Sequence, residues 1–151
     1  MVADMGELLE DFELPDQNGE KVRLSDFRGK RVLLSFHPLA WTGICTKQMQ
    51  ALEEAMDRFD SLGVVPLGLS VDAVPSKKAW ADDMGLERLR ILSDFWPHGE
   101  VARSADIFIE KLGFSGRGNI ALDEEGRVIM RKIYEIKKLP DLEEVLAELS
   151  G

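Results

Sequence analysis

The residues best suited to chemistry lie where a hydrophobic segment ends and a helical pattern begins. Cys45 is the only cysteine of the chain, and Thr42 precedes it by three residues. A thiol in the first turn of a helix faces the positive end of the helix dipole and free backbone N–H groups, and both favour the thiolate. The Thr42 hydroxyl can reach the same small volume. Cys45 is therefore a candidate nucleophile, although a free cysteine also serves as a small core residue.

The segments on either side of Cys45 predict a strand followed by a helix. Residues 31–36 form a nearly continuous apolar run, typical of a strand buried on both faces, and Pro38 ends it. Beyond this point the apolar residues recur with a period of about 3.6, which places them on one face of a single helix. They are Cys45, Met49, Leu52, Met56 and Phe59. Cys45 is thereby predicted on the inward side of the first turn, with Gly63 near the C-terminal end.

The remaining segments alternate between strand and helix patterns. Residues 12–14 and 22–24 flank Asn18-Gly19 and predict a hairpin. We expect strands at 64–71 (paired from Pro66 onward), 90–92, 119–122 and 127–130, and helices at 76–84, 100–105 and from 142. This order predicts an α/β fold in which a central mixed sheet has helices on both faces. No repeat or linker divides the chain, so residues 1–151 are predicted to form one domain.

Composition excludes several classes of function. The net charge of −9 disfavours nucleic acid and anionic membranes as partners. A single cysteine forms no internal disulfide, and two histidines without clustered ligands disfavour a metal site. No cofactor is expected. The N-terminus lacks the pattern of a signal peptide, and no segment has the roughly 20 apolar residues of a membrane span, so the cytoplasm is the expected location.

The spacing Pro38-x-x-x-Thr42-x-x-Cys45, after a hydrophobic strand and at the start of a helix, resembles the peroxidatic motif of the peroxiredoxins. The resemblance extends over roughly residues 10–138. It includes Phe12-x-Leu14-Pro15-Asp16-x-x-Gly19, residues 24–30, Ser70-Val71-Asp72, Leu92-Ser93-Asp94, Pro97-His98-Gly99, Arg117-Gly118 and Leu122-Asp123-x-x-Gly126.

This resemblance implies a thioredoxin-like fold with an N-terminal β-hairpin extension, a homodimer, and thiol-dependent reduction of peroxides. Cys45 would be the peroxidatic thiolate and Thr42 its hydrogen-bonding hydroxyl. Pro38 would shield the thiolate from bulk water, and Arg117 would supply a guanidinium from a distant strand. Donors placed around the peroxide oxygens stabilise the charge that develops on the leaving oxygen.

Other roles for these residues stay open at this point. Pro38 is also explained as a strand stop, and Thr42 as an ordinary N-cap. Arg103 or Arg131 could take the place of Arg117, which the resemblance alone selects. Two histidines have less certain roles: His37 precedes Pro38 and resembles the histidine of some one-cysteine members, whereas His98 is expected to cap the helix at Glu100.

Two departures from the common pattern shape the prediction. No second cysteine exists, so a sulfenic acid on Cys45 must be reduced by an external thiol, as in one-cysteine members such as the AhpE-like class. Thioredoxin, glutaredoxin and a low-molecular-weight thiol are the candidate reductants. Gln48 stands where many members carry Glu.

Two alternative functions stay open. One is a thiol-disulfide oxidoreductase, which is disfavoured because no C-x-x-C pair is present. The other is a redox-sensing or chaperone-like protein in which Cys45 oxidation controls partner binding.

Overall fold

The computed structural model describes residues 4–151, so the first three residues of the N-terminal segment lie outside the described part. In chain order the strands are β1 (Glu13–Pro15), β2 (Lys21–Arg23), β3 (Arg31–Phe36), β4 (Val64–Ser70), β5 (Arg90–Ser93), β6 (Phe108–Ile109), β7 (Phe114–Ser115), β8 (Arg117–Leu122) and β9 (Val128–Tyr134). The α-helices are α1 (Gly43–Glu54), α2 (Met56–Leu62), α3 (Val74–Met84), α4 (Glu100–Ser104) and α5 (Leu142–Ser150). A short 3-10 helix, Leu24–Phe27, follows β2.

A five-stranded mixed sheet forms the centre of the fold, in the order β5-β4-β3-β8-β9. β3, β4 and β5 run parallel, while β8 is antiparallel to β3 and to β9. The predicted mixed sheet and the hairpin of β1 and β2 are confirmed. The prediction that β4 pairs only from Pro66 is wrong, since pairing with β3 begins at Val64. β5 joins from Leu67, so Pro66 has a paired strand on one side only, a setting that tolerates proline.

Alternating residues of β3 face two hydrophobic clusters. Leu33 packs with residues of α1, α3 and α5, including Met49, Trp80 and Val145. Val32 and Leu34 belong to the opposite cluster, which also holds residues of the hairpin and of α4. Helices therefore cover both faces of the sheet, as predicted, and Cys45 belongs to the cluster beneath α1.

The predicted single helix over residues 45–59 is in fact two helices. Ala55, with φ −93° and ψ 6°, separates α1 from α2, and its N–H donates to both the Ala51 and Leu52 carbonyls. The tightened turn changes the helix path. Cys45 and Phe59 nevertheless stay in the same cluster, so the apolar periodicity identified the buried face even though the helix is broken.

The start of α4 also corrects one prediction. His98 does not cap the helix: its Nε2 lies 2.7 Å from the Gly113 carbonyl oxygen. The buried Asp94 carboxylate instead accepts from the N–H groups of Val101 (3.1 Å) and Ala102 (3.0 Å). Burial raises the pKa of Asp94 to about 6, against the lowering effect of these two N–H donors.

Candidate active site

Cys45 lies in the first turn of α1, and its side chain is fully buried. The helix begins after Thr42, whose backbone is extended, and the Thr46 N–H donates to the Thr42 carbonyl at 2.9 Å. The amide groups of Gly43, Ile44 and Cys45 precede this first bond, so they have no acceptor within the helix. Cys45 thus lies in the turn of α1 whose N–H groups have no helix acceptors, the position that the sequence pattern predicts.

Arg117 contacts the sulfur from the other side. Its Nη1 lies 3.2 Å from Cys45 Sγ and donates to Gln48 Oε1 at 2.8 Å, while its Nε donates to the Ile136 carbonyl at 2.8 Å. The antiparallel register explains the position. Gly118 pairs with Phe36, so Arg117 lies beyond the carboxyl end of β3, where α1 starts.

Gln48 holds the guanidinium through a neutral group. Its Nε2 donates to Ser35 Oγ at 2.8 Å and to the Phe36 carbonyl at 3.2 Å, which directs its Oε1 toward Arg117. None of the ion pairs within residues 4–151 involves Arg117. The positive charge is therefore not compensated by a contacting carboxylate, and Cys45 is the contacting group that can become an anion.

An open pocket of about 260 Å³ leads to this group of residues. Most of its lining is apolar, and Arg117 and Lys137 are its charged members. It is lined by Pro38, Leu39, Thr42, Gly43, Ile44, Phe114, Arg117, Ile136 and Lys137. Cys45 does not line the pocket; its sulfur lies beneath the wall, in contact with Arg117. The structure thus brings together all four residues predicted for the site.

Pro38 and Thr42 lie on the wall of this pocket in different environments. Pro38 is buried, two residues after the end of β3, and lines the pocket. Thr42 is exposed, and its hydroxyl donates to the Leu39 carbonyl at 3.0 Å. Thr42 occupies the N-cap position of α1, but its side chain accepts no helix N–H, so the simple capping role is wrong.

The two alternative arginines lie elsewhere. Arg103 pairs with Glu110, and its guanidinium lies 4.0 Å from the centre of the Phe108 ring. Arg131 donates to the carbonyls of Ala105 (2.6 Å) and Asp106 (2.7 Å). Both have structural partners away from Cys45, so neither takes the place of Arg117.

Sequence reasoning missed a lysine in the interior near this site. Lys77 of α3 is fully buried, and its Nζ lies 3.5 Å from Nε2 of His37, also fully buried. Burial lowers the pKa of Lys77 to about 7, partly opposed by Asp72, Cys45 and Asp94. A signal was available, because Lys77 precedes the buried Trp80 and Ala81 by three and four residues and so shares their helix face.

Two further observations concern ligands and membranes. Within residues 4–151, no group of three or more His, Cys, Asp or Glu side chains is arranged to hold a metal ion. Each helix in this part of the chain is too short or too polar to cross a lipid bilayer.

Known proteins resemble this chain in both sequence and structure. The profile of the AhpC/TSA family matches residues 5–131. Alkyl hydroperoxide reductase E of Mycobacterium tuberculosis H37Rv is 40% identical over 126 residues, which cover 83% of this chain and 82% of that protein. Peroxiredoxin Bcp of Escherichia coli K12 is 43% identical over 89 residues, covering 59% and 56%. The crystal structure of peroxidoxin BcpB from Mycobacterium tuberculosis matches with a TM-score of 0.84 and 28% identity, covering 97% and 96%.

The fold and these relatives define a class: a peroxiredoxin with a thioredoxin-like fold, and thus a thiol-dependent peroxidase among the oxidoreductases. The predicted fold class and the resemblance found in the sequence are confirmed. The chain belongs to the AhpC/TSA family.

Proposed function

We propose that this protein is a one-cysteine peroxidase that reduces hydrogen peroxide or organic hydroperoxides through Cys45. The Cys45 thiolate attacks the distal oxygen of the peroxide, an S–O bond forms and the O–O bond breaks. The leaving oxygen takes up a proton as water or an alcohol, and the sulfur becomes a sulfenic acid. The cysteine is oxidised and the peroxide is reduced, each by two electrons.

The contact between Arg117 and Cys45 carries this proposal. A guanidinium 3.2 Å from the sulfur favours the thiolate and remains in place as charge moves onto the peroxide. Ile136 and Gln48 fix its orientation, so little reorganisation is needed during the reaction. Removal of one such donor typically slows a reaction by about 10²–10³-fold.

Thr42 and Pro38 are proposed to complete the environment of the peroxide. The Thr42 hydroxyl borders the pocket and would exchange the Leu39 carbonyl for a peroxide oxygen when substrate binds. Pro38 presents an apolar wall without an N–H group, which limits the water that solvates the sulfur. Because Cys45 is fully buried beneath the lining, part of the lining must move before a peroxide reaches the sulfur.

The reductant is proposed to be a thiol on another molecule. The sulfenic acid condenses with an external thiol, releasing water and forming a mixed disulfide, and a second thiol then restores Cys45. The chain has no second cysteine for this step. Thioredoxin, glutaredoxin and a low-molecular-weight thiol are the three reductants to compare. The homodimer and the cytoplasmic location stay predictions.

Mass analysis after one equivalent of peroxide, followed by turnover with each reductant, tests the proposal. We expect one added oxygen on Cys45, its loss on treatment with one of the thiols, and many equivalents of peroxide consumed. Cys45→Ser should be folded and unreactive. Rapid peroxide consumption by Cys45→Ser would overturn the assignment, and a single oxidation without turnover would favour the redox-sensing alternative.

A further inference from the structure

A lysine and a histidine without a carboxylate partner meet in the interior, close to Cys45. Lys77 Nζ and His37 Nε2 are 3.5 Å apart, and both side chains have 0% exposure. Within residues 4–151, the ion pairs do not include Lys77, and His37 Nδ1 has no hydrogen-bond partner. Burial of an ammonium without a carboxylate partner is strongly unfavourable. Packing alone therefore does not explain a lysine at this position.

The distance between the two nitrogens restricts their protonation. His37 Nε2 accepts a hydrogen bond from Lys77 only when the imidazole is neutral, and two cations at this separation would repel each other. Burial, followed by the charge of Lys77, lowers the pKa of His37 well below 6.5. Burial lowers the pKa of Lys77 to about 7, so below this pH the proton of the pair resides on Lys77 while His37 stays neutral and accepts the hydrogen bond.

Charged groups from several elements face this pair. Asp72, Cys45 and Asp94 favour the protonated form of Lys77, and Arg117 disfavours protonation of His37. Asp72 accepts from the Ala40 N–H at 2.8 Å and from Ser70 Oγ at 2.5 Å, so its carboxylate is already held.

Asp94 is likewise held by two N–H groups of α4. Of the three negative groups that act on Lys77, Cys45 is the one whose charge changes when it reacts with peroxide. Electrostatic coupling is reciprocal, so a protonated Lys77 favours the Cys45 thiolate as much as the thiolate favours the proton.

We propose that Lys77 is a positioning residue for the peroxidase reaction, and that its buried ammonium, held by neutral His37, favours the Cys45 thiolate through space. Both residues of the pair are fully buried, and neither lines the substrate pocket. The effect of the pair is therefore on the ionisation of Cys45 and not on contact with substrate. This inference rests on the proposed role of Cys45 as the peroxidatic residue.

The pH dependence of Cys45 oxidation in the Lys77→Met variant tests the proposal. Removal of the charge should move the rising limb of the rate to higher pH by roughly one unit, which is about tenfold in rate at a pH on that limb. Lys77→Arg restores the charge and should return the profile toward that of the wild type. Lys78→Met is the matched control, since Lys78 is exposed on the same helix and pairs with Asp82. Its profile should be unchanged.

A second pair of variants keeps the test independent of how well Lys77→Met folds. His37→Phe removes the acceptor of the ammonium and should displace the profile in the same direction. His37→Gln retains an acceptor and should displace it less. The double variant with Lys77→Met should show no further displacement than Lys77→Met alone, because His37 is proposed to act only through the Lys77 ammonium.

Coincident profiles for wild type and folded Lys77→Met, or for wild type and His37→Phe, would overturn the inference. Mass analysis of the wild type separates this result from failure of the proposed function. An oxygen added to wild-type Cys45, with coincident profiles, rejects the role of Lys77 alone. Absence of that oxygen rejects the role of Cys45 itself.

Discussion

Gln48 and Arg117 are joined by a 2.8 Å hydrogen bond in which a neutral amide oxygen accepts from the guanidinium. The same nitrogen of Arg117 also lies 3.2 Å from Cys45 Sγ. A neutral acceptor orients the arginine without neutralising it, so its charge acts on the sulfur. Substitution at position 48 therefore tests whether the positive charge of Arg117 has to remain without a contacting carboxylate in order to act on Cys45.

Gln48→Glu should slow the reaction with peroxide and displace its pH profile to higher pH. A carboxylate at this position would pair with Arg117 and would repel a thiolate on the neighbouring turn. We expect roughly a tenfold lower rate on the rising limb, measured by stopped-flow fluorescence of the tryptophans. Gln50→Glu makes the same charge change on a half-buried part of the same helix and is the control. An unchanged profile for Gln48→Glu would show that Arg117 does not set the ionisation of Cys45.

Arg117→Met should slow Cys45 oxidation by about 10²–10³-fold, whereas Arg117→Lys should retain part of the rate. Lysine supplies charge but cannot donate to the sulfur, to Gln48 and to the Ile136 carbonyl from one planar group. Arg117→Met should also lower the free energy of unfolding by about 1–3 kcal/mol, because buried acceptors lose their donor.

Arg103→Met is the control for Arg117→Met, since Arg103 pairs with Glu110 away from Cys45. Its oxidation rate should equal that of the wild type. A normal rate for folded Arg117→Met would assign the donor role to another group.

Local patterns predicted the elements around the site better than the contacts within it. The apolar run of β3 and the 3.6-residue period after it placed Cys45 at an inward first turn, because burial on one face leaves a direct trace in sequence. The break at Ala55 left no such trace, since alanine has the highest helix propensity and favours an uninterrupted helix. Arg117 is 72 residues from Cys45, and the pairing of β8 with β3 that joins them is not encoded in local spacing.

Lys77 illustrates a different limit of prediction. A lysine in an amphipathic helix is normally read as exposed, because burial of an ammonium is unfavourable. Its environment depends on His37, which follows β3 and is 40 positions away in the sequence. Residues that violate the local polarity pattern are frequently functional. The burial of Lys77, seen only in the structure, therefore marks this lysine as a candidate functional residue.

Asp94→Asn should change how stability depends on pH. The folded-state pKa of Asp94 is about 6 and its unfolded value is 3.8, so the folded protein binds more protons between these values. Stability from this group is therefore lost as the pH rises from about 4 to 6, by on the order of 3 kcal/mol. Chemical denaturation of wild type and Asp94→Asn across this range measures the difference. The free energy of unfolding of the wild type, relative to that of Asp94→Asn, should decrease as the pH rises. A difference between the two proteins that is independent of pH contradicts the prediction.

Gly68→Ala should destabilise the protein and disturb the packing of Met49. A Cβ at this position of β4 would lie 2.5 Å from Met49 Sδ, 3.0 Å from Ile91 Cγ2 and 3.5 Å from His37 Cε1. Relief of the overlap must come first from the Met49 and Ile91 side chains. Met49 is one turn beyond Cys45 on the buried face of α1, so its displacement is passed to the helix that carries the sulfur. Overpacking of this kind typically costs about 1–3 kcal/mol.

Gly116→Ala is the matched control for Gly68→Ala, since its nearest neighbours would be 3.6 Å away, at ordinary contact distance. Thermal unfolding and the rate of Cys45 oxidation should be measured for both variants. We expect the lower melting temperature and the slower oxidation in Gly68→Ala alone. Equal melting temperatures would mean that the Met49 side chain moves aside without cost. A slowed reaction at unchanged stability would instead show that the reactivity of Cys45 depends on the position of α1 against β4.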